Sequence, residues 1–366
     1  MTDQRCNAPA PLPRRPSRRV AAGGVPIGGG APITIQSMTN TDTRDAGATL
    51  EQIGRLAAAG ADLVRVAVPD AGAVAVLRRI CAGSEVPIIA DIHFDHHLAL
   101  GAIAAGAAKV RINPGNLERE EYVRAVAAAA RAADVPIRVG VNAGSLPQRI
   151  LRRTGVTPEG MVEAALEQVR TLEEAGFEDL VISLKASNVT ATVRANELMS
   201  RRSNYPLHLG VTEAGTAPGG TVKSAVGIGY LLGRGIGDTV RVSLTGDPVE
   251  EVRAAAGILS AWGLRQLGPE IISCPTCGRC RVDLVRIVNE VGERLEGVRA
   301  PVRVAVMGCE VNGPGEAREA DVGLACGRGM GLLMREGRVV KKVSEEDMVE
   351  ELVQLVRQHL ASREVE

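Results

Sequence analysis

The sequence predicts an α/β fold, a (β/α)8 TIM-type barrel followed by a small α/β domain. Residues 33–260 alternate between short apolar runs and Ala/Leu-rich helical stretches. About eight such βα units follow one another, an arrangement typical of this barrel, with a doubly wound open sheet as the alternative. The predicted strands are Ile33–Met38, Leu63–Val68, Pro87–Asp91, Lys109–Ile112, Ile137–Asn142, Leu180–Leu184, Leu207–Val211 and Thr239–Ser243.

The pattern changes after Trp262, where Leu267–Glu270 is interpreted as a linker. We expect a partly disordered lead-in at 1–30, a substrate-binding barrel at 31–265 and a cluster domain at 266–366. The predicted elements of the last domain are a helix near Val282–Leu295, strands at Val302–Met307, Asp321–Ala325, Gly331–Arg335 and Val339–Val343, and a helix near Glu345–Ala361.

Composition excludes several classes of function. Lys and Arg together number 43, as do Asp and Glu, and aromatic residues make up 2%, which argues against binding of nucleic acid. The first twenty residues contain no apolar stretch of the kind found in signal peptides, and no apolar run is long enough to span a membrane. We therefore expect a cytoplasmic protein whose seven cysteines are free thiols or metal ligands.

Polar residues occupy alternate positions near the carboxyl ends of the predicted barrel strands, where barrel active sites lie. The basic residues exceed the acidic ones, which indicates a site for an anion with more than one charge, such as a diphosphate. The alternative is that each arginine pairs with a helix carboxylate outside the barrel, and Arg241 is expected to form such an external ion pair. The candidate substrate-binding residues are Arg65, Asp91, His93, Arg111, Asn113, Arg138, Asn142, Ser183, Lys185, Ser187 and Ser243.

Two further candidates belong to the seventh strand. Glu213 follows its carboxyl end, a position suited to a catalytic carboxylate, although an acid there could also cap a helix or form a salt bridge. His208 lies on the same strand with the opposite parity, so that it reaches the substrate only if a bulge turns it inward.

The cysteines of the last quarter form a candidate metal site. Cys274 and Cys277 make a C-x2-C pair, and Cys309 precedes a Gly/Pro turn that brings Glu316 back towards it. The pair is compatible with zinc, an iron–sulfur cluster or a redox dithiol. Cys280 extends the motif, but no second C-x2-C pair of a zinc ribbon follows.

The chain resembles the bacterial 4-hydroxy-3-methylbut-2-en-1-yl diphosphate synthase family, whose members are reductive enzymes of the methylerythritol phosphate route to isoprenoids. The matching motifs follow one another through nearly the whole chain. They are Gln36–Thr43, Ala90–Asp95, Arg111–Asn116, Arg138–Asn142, Ser183–Ser187, Leu209–Gly215, Cys274–Arg279 and Met307–Ala317.

The resemblance implies a [4Fe–4S] cluster held by Cys274, Cys277, Cys309 and Glu316, with Cys280 outside the ligand set. It implies reductive ring opening of 2-C-methyl-D-erythritol 2,4-cyclodiphosphate, with electrons from flavodoxin or ferredoxin. Glu316 would yield its place on the cluster to a substrate oxygen, and Glu213 would donate a proton. It also implies a homodimer with composite active sites, in which one subunit's cluster covers the other's barrel mouth.

Two other interpretations remain open from the sequence. One is a barrel methyltransferase that binds a pterin and carries zinc in its tail, because Gln36–Thr43 loosely resembles pterin barrels. The other is a non-catalytic iron–sulfur sensor or scaffold, which would have four cysteine ligands and no use for the basic residues.

Overall fold

The structure, a computed structural model, describes residues 13–92, 95–113 and 119–363. The chain divides into two compact units, one ending at Arg265 and the other beginning at Gln266. None of the helices in the described ranges has the length and apolar character needed to cross a bilayer.

The first unit is a barrel of eight parallel strands preceded by a hairpin. Its strands are β1 (Val20–Ala22), β2 (Val25–Ile27), β3 (Thr34–Met38), β4 (Leu63–Ala67), β5 (Ile88–Asp91), β6 (Lys109–Ile112), β7 (Ile137–Asn142), β8 (Leu180–Lys185), β9 (His208–Leu209) and β10 (Thr239–Val240). The sheet order is β8-β7-β6-β5-β4-β3-β10-β9, and a parallel bridge between Ile182 and Leu207 joins the two ends. The prediction of a closed (β/α)8 barrel is therefore confirmed, and the open sheet is excluded.

Helices follow the barrel strands, and most begin where a short polar side chain accepts a hydrogen bond from the first turn. Asp45, Asp70, Asp95, Asn188 and Asp247 do so at five helices. The helices are α1 (Ala46–Ala58), α2 (Ala71–Gly83), α3 (His96–Ala104), α4 (Glu120–Ala132), α5 (Gln148–Thr154), α6 (Pro158–Glu174), α7 (Val189–Arg202), α8 (Ala217–Gly233) and α9 (Pro248–Ala261).

The β1–β2 hairpin lies in the segment that the sequence analysis assigned to the lead-in. Its turn is Gly23–Gly24, with positive φ at both residues, as the tight two-residue hairpin turn requires. Apolar side chains of the hairpin and of three barrel strands form one buried cluster: Val20, Ala22, Ile27, Leu63, Ile89 and Val181. The hairpin thus packs against apolar side chains that point into the barrel near its amino end.

The second unit is a five-stranded sheet with helices. Its elements are β11 (Pro269–Ser273), α10 (Leu284–Arg294), β12 (Val302–Met307), α11 (Gly313–Glu316), β13 (Val322–Gly327), β14 (Met330–Arg335), β15 (Arg338–Ser344) and α12 (Met348–Arg363). The strands follow the order β11-β12-β13-β14-β15, parallel up to β13 and antiparallel beyond it. Residues of α10 and α12 share a buried core with β12, β13 and β14.

The interpretation of Leu267–Glu270 as a linker is wrong for its second half. Strand β11 begins at Pro269 and pairs with β12 through Ser273. A proline at the first position of an edge strand is tolerated because its missing N–H is not needed for the ladder. Cys274 therefore follows the end of a sheet strand directly.

Candidate active site

The interior of the barrel carries the predicted polar residues. Residues paired in register on neighbouring parallel strands point to the same face of the sheet. The apolar side chains that contact the hairpin point into the barrel, so a residue in register with one of them points inward as well. Arg138 is in register with one of these, Val181, and also with Arg111, which in turn pairs with Asp91. Arg65 is in register with another, Ile89. These four predicted residues therefore point into the barrel.

The inward face of the described strands holds five basic side chains and one carboxylate, that of Asp91. The five, called the basic set below, are Arg65, Lys109, Arg111, Arg138 and Lys185. Asp91 lies 3.2 Å from Arg111 and 3.8 Å from Arg65. Basic side chains thus outnumber acidic ones on the inward face of the described strands, in agreement with the excess that the sequence predicted.

Two glycines make room for the basic side chains. A Cβ added at Gly140 would lie 2.7 Å from Nε of Arg111, and one at Gly210 would lie 2.8 Å from Nζ of Lys185. Arg111 also donates a hydrogen bond to the Gly140 carbonyl at 3.3 Å. The absence of side chains at these two positions lets the long basic side chains extend across the interior.

Electrostatic repulsion acts within the basic set. Burial lowers the pKa of Arg65 to about 10, although Asp91 opposes that shift. Burial, followed by the neighbouring arginines, holds the pKa of Lys185 well below its ordinary value. The same causes, with Arg65 and Arg111 as the first neighbours, lower the pKa of Arg138. A bound anion would offset these costs, because an opposite charge favours the ionised form of each group.

His208 lies inside the barrel beside the basic set. Its strand parity, opposite to that of Glu213, had suggested that it points away from the interior. It is fully buried, with Nε2 at 3.0 Å from Nζ of Lys185 and Nδ1 at 3.4 Å from the hydroxyl of Thr239. Strand β9 is only two residues long, so parity does not continue from His208 to Glu213. Burial and the adjacent cations lower the pKa of His208 well below its ordinary value, which keeps the ring neutral.

The other predicted residues lie at or beyond the carboxyl ends of the strands. Asn113 donates to the Ser145 hydroxyl at 2.9 Å, and Asn142 ends β7. Ser183 faces the interior on β8, whereas Ser187, beyond its end, is exposed. The remaining two are Ser243, which is partly buried, and His93, which lies outside the described residues.

Glu213 is exposed just beyond β9 and has a φ of 52°. A residue other than glycine rarely adopts this left-handed conformation, and such conformations are frequent at functional sites. The backbone therefore marks Glu213 as unusual, beyond its position at the strand end.

The structure gives the outcome for Arg241 and adds one basic residue, Lys109, to those selected from the sequence. Arg241 pairs with Glu251 of α9 at 3.2 Å, the ion pair that the sequence analysis expected. Lys109, the first residue of β6, is buried in the interior but was not among the candidates. Its signal was available, since it lies two residues before Arg111 and therefore on the same face of the strand.

In the second unit, the ends of two adjacent parallel strands bring the predicted metal ligands into one region. Cys274 follows β11, and Cys309 follows β12 after Gly308. The Gly308 N–H donates to Sγ of Cys274 at 3.2 Å, which ties the two strand ends together. Glu316 is the last residue of α11, the short helix that follows Cys309.

The local backbone favours thiolates at two of these cysteines. Backbone N–H groups of Asn312 and Val311 lower the pKa of Cys309. The backbone N–H of Arg279, followed by its side chain, lowers the pKa of Cys277. Thiolate, not thiol, is the metal ligand, so these donors prepare the sulfurs to bind a metal.

Cys326 and Cys280 have different surroundings. Burial raises the pKa of Cys326 to about 12, so this thiol keeps its proton. The sulfur of Cys280 lies 3.3 Å from the carbonyl of Val282, to which its S–H donates. That Cys280 is not a ligand stays a prediction, which these contacts support.

Among the described residues, the group of three or more metal-ligating atoms found within 4.8 Å of one another is Asp95, His96 and His97, and it contains no cysteine.

Comparisons with known proteins agree with both halves of this description. Residues 17–256 match the family model described as the GcpE TIM-barrel domain, and residues 270–358 match that of the GcpE protein C-terminal domain. A relative from Geobacter sulfurreducens is 57% identical over 348 residues, 95% of this chain and 99% of its own length. A relative from Clostridium perfringens is 53% identical over 344 residues, 94% of this chain and 99% of its own length.

Both relatives carry the name 4-hydroxy-3-methylbut-2-en-1-yl diphosphate synthase (flavodoxin). The resemblance recognised in the sequence motifs is thereby confirmed, and the interpretations as a pterin methyltransferase and as a non-catalytic sensor are set aside. The chain belongs to the GcpE family, the iron–sulfur oxidoreductases named 4-hydroxy-3-methylbut-2-en-1-yl diphosphate synthase.

Proposed function

We propose that this chain converts 2-C-methyl-D-erythritol 2,4-cyclodiphosphate to 4-hydroxy-3-methylbut-2-enyl diphosphate, using electrons from flavodoxin. The relatives are named for this product and this donor. The observation in the structure that carries the proposal is the basic set, five basic side chains of which four are buried, against the carboxylate of Asp91. Burying several basic groups together is costly, and a ligand with several negative charges bound in the barrel would offset that cost.

The reaction balances with two electrons and two protons, of which one joins the leaving hydroxyl to form water and the other joins the phosphate oxygen released from C2. The bond between C2 of the substrate and its phosphate oxygen breaks, and the hydroxyl on C3 leaves as water. Each leaving group takes an electron pair, so the two incoming electrons complete the new double bond between C2 and C3. The enzyme must therefore hold a diphosphate, deliver a proton to a leaving hydroxyl and supply electrons.

The diphosphate site is proposed to consist of the basic set together with polar groups at the strand ends. Arg111 and Arg138 are proposed to bind phosphate oxygens, because planar guanidinium groups match their geometry. Neutral His208, beside Lys185, can donate or accept a hydrogen bond without adding charge. The further proposed contacts are Asn113, Asn142, Ser183, Ser187, Ser243 and His93.

Glu213 is proposed as the acid that protonates the leaving hydroxyl. It is exposed at the carboxyl end of the barrel, where it can reach both a substrate and solvent protons. Its positive φ holds the backbone in a conformation that costs about 1–3 kcal/mol. Because this conformation lowers stability, a residue other than glycine here is better explained by a role in the reaction than by a role in folding.

We expect Glu213→Gln to lower kcat at least tenfold while leaving the affinity for the cyclic diphosphate within a factor of about two, because it removes a proton and no cation. Glu213→Gly provides the matched control for strain: it should raise the melting temperature and also lose activity. Steady-state kinetics, isothermal calorimetry and thermal melts measure these quantities. Wild-type kcat in Glu213→Gln would remove the acid role.

The metal site is proposed to hold a [4Fe–4S] cluster through Cys274, Cys277, Cys309 and Glu316. Three sulfurs held at strand and loop ends, with backbone donors to Cys309 and Cys277, fit a cluster with three thiolate ligands. Such a cluster supplies electrons one at a time. Glu316 is exposed, and a carboxylate is a harder and more readily exchanged ligand of this iron than a thiolate.

The test of the proposed function is direct conversion. Anaerobically prepared protein containing iron and sulfide, mixed with reduced flavodoxin and the cyclic diphosphate, should turn cyclic phosphorus NMR signals into those of a terminal diphosphate. Protein without added reductant is the control. Iron-loaded, reduced protein that leaves the cyclic diphosphate unchanged would overturn the proposal.

A homodimer with composite sites is proposed from the family resemblance. The anion-binding residues and the thiolates belong to two different units of the chain, and both are needed for one reaction. In a closed twofold pair each subunit can complete the site of the other. Flavodoxin would then act on a dimer and not on a single chain.

Mixing two inactive variants tests this arrangement. We expect Arg111→Ala and Cys309→Ser, each inactive alone, to regain up to about a quarter of wild-type activity after subunit exchange, because one composite site in each mixed dimer is intact. Each variant incubated alone is the control, and native mass spectrometry verifies the exchange. Exchange without recovered activity would mean that each chain builds its own site.

A further inference from the structure

Lys109 is the one member of the basic set whose charged atom has no hydrogen-bond partner among the described residues. It is 0% exposed, and Nζ is fully buried and unpaired. In the sheet register it is level with Ile89, an apolar residue that contacts the hairpin. Lys109 therefore lies low in the barrel, one layer below Arg111 and Asp91.

The surroundings of Lys109 are cationic. Burial lowers its pKa well below the ordinary value, and Arg138 and Arg65 lower it further. The charged and titratable groups that face the interior from the neighbouring elements are Arg65 on β4, Asp91 on β5, Arg111 on β6, Arg138 on β7, Lys185 on β8 and His208 on β9. Arg241, after β10, adds positive charge nearby but is paired with Glu251. Asp91 opposes the basic groups but is outnumbered by them, so without an anion in the barrel the surroundings favour the uncharged amine.

Packing alone does not account for a lysine at this position. A methionine would fill similar space without an unsatisfied polar atom, and a buried polar group without a partner is costly. An amine differs from methionine in one respect that matters beneath an anion site, since it can gain a charge. When several negative charges arrive above it, the electrostatic cost of protonating Lys109 falls.

We propose that Lys109 adjusts the charge of the anion site: it is neutral while the barrel is empty and takes up one proton from solvent when the cyclic diphosphate binds. The inference rests on the proposed function, because that function supplies the anion. Ring opening then creates a terminal phosphate with one more ionisable oxygen than the cyclic form. Protonated Lys109 provides the matching positive charge and acts as a positioning residue behind Arg138 and Arg111.

The test is calorimetric binding of the cyclic diphosphate without reductant, so that no turnover occurs. Titrations in two buffers with different heats of ionisation give the number of protons taken up. Wild-type protein near pH 7.5 should take up about one proton more than Lys109→Met, and Lys109→Met should bind about tenfold more weakly. The control is Arg124→Met on the exposed surface of α4, which should match wild type in both proton uptake and affinity.

The stability of Lys109→Met separates this role from a structural one. The unfolded chain keeps Lys109 protonated and the folded chain does not, so the wild type loses stability as pH falls below the ordinary lysine pKa. Lys109→Met should therefore melt at a temperature equal to or above that of wild type at pH 7.5, while its affinity falls.

Each result bears on a different claim. If wild-type protein does not bind the cyclic diphosphate, the proposed function itself fails, and this inference with it. If wild type binds without proton uptake, the proposed function stands and the role of Lys109 is overturned, even if Lys109→Met cannot be prepared. Equal proton uptake by wild type and Lys109→Met would overturn it as well.

Discussion

Serine in place of Cys309 is expected to abolish both iron binding and activity. Cys309 is the sulfur with the most backbone support, because N–H groups of residues 311 to 313 all favour its thiolate. A serine hydroxyl keeps its proton at neutral pH and is a poor iron ligand. Anaerobically purified wild type should contain about four iron and four sulfide per chain, and Cys309→Ser less than about one of each.

Cys280→Ser is the matched control for this experiment. Cys280 belongs to the same loop as Cys277 but donates its S–H to a backbone carbonyl, a contact that a hydroxyl can also make. The variant should keep its iron, its sulfide and its activity. Loss of iron from Cys280→Ser together with retention in Cys309→Ser would require a different ligand set, and one zinc per chain in the wild type would exclude the cluster.

Removal of a buried arginine should have the largest effect on substrate binding. The Nη1 of Arg138 donates to Gln36 at 3.1 Å, and its Nε has no hydrogen-bond partner among the described residues. Its Nε is thus available to a ligand. A charged hydrogen bond contributes about 1.5–3 kcal/mol, so Arg138→Met should weaken binding of the cyclic diphosphate roughly ten- to a hundredfold or more.

The same substitution at Arg124 is the control, because that arginine pairs with Glu120 on the exposed surface of α4. Arg124→Met should bind the cyclic diphosphate like wild type in the same calorimetric titration. Arg138→Met should not lose stability, since it removes a buried cation that repels its neighbours. Unchanged affinity in Arg138→Met would mean that this guanidinium is structural.

The barrel strands could be predicted from the sequence for a physical reason. Each strand is buried on both faces, so it appears as a short apolar run between helical patterns. Polar residues within those runs, such as Arg111 and Arg138, stood out because buried charges are costly. The fold could therefore be predicted, and most residues of the proposed anion site selected, from the same positions.

Other features could not be found in that way. Strand β9 is too short for alternation to place His208, so only tertiary structure shows that it faces inward. The hairpin has strands of three residues, and its Gly23–Gly24 turn signal lies within a segment rich in proline and arginine. Strand β11 is an edge strand with no fully buried residue, which removes the apolar pattern that marks the others.

The hairpin covers the amino end of the barrel interior with apolar side chains. Because Val20 and Ile27 pack against the apolar residues near the amino end, a deletion that removes the first thirty residues would let water in from below. Water reaching Lys109 would hydrate its amine and favour the protonated form, so that the protein without substrate would carry one more positive charge. Shortened expression forms should therefore begin before Val20, even though the segment looks like a dispensable tail in the sequence.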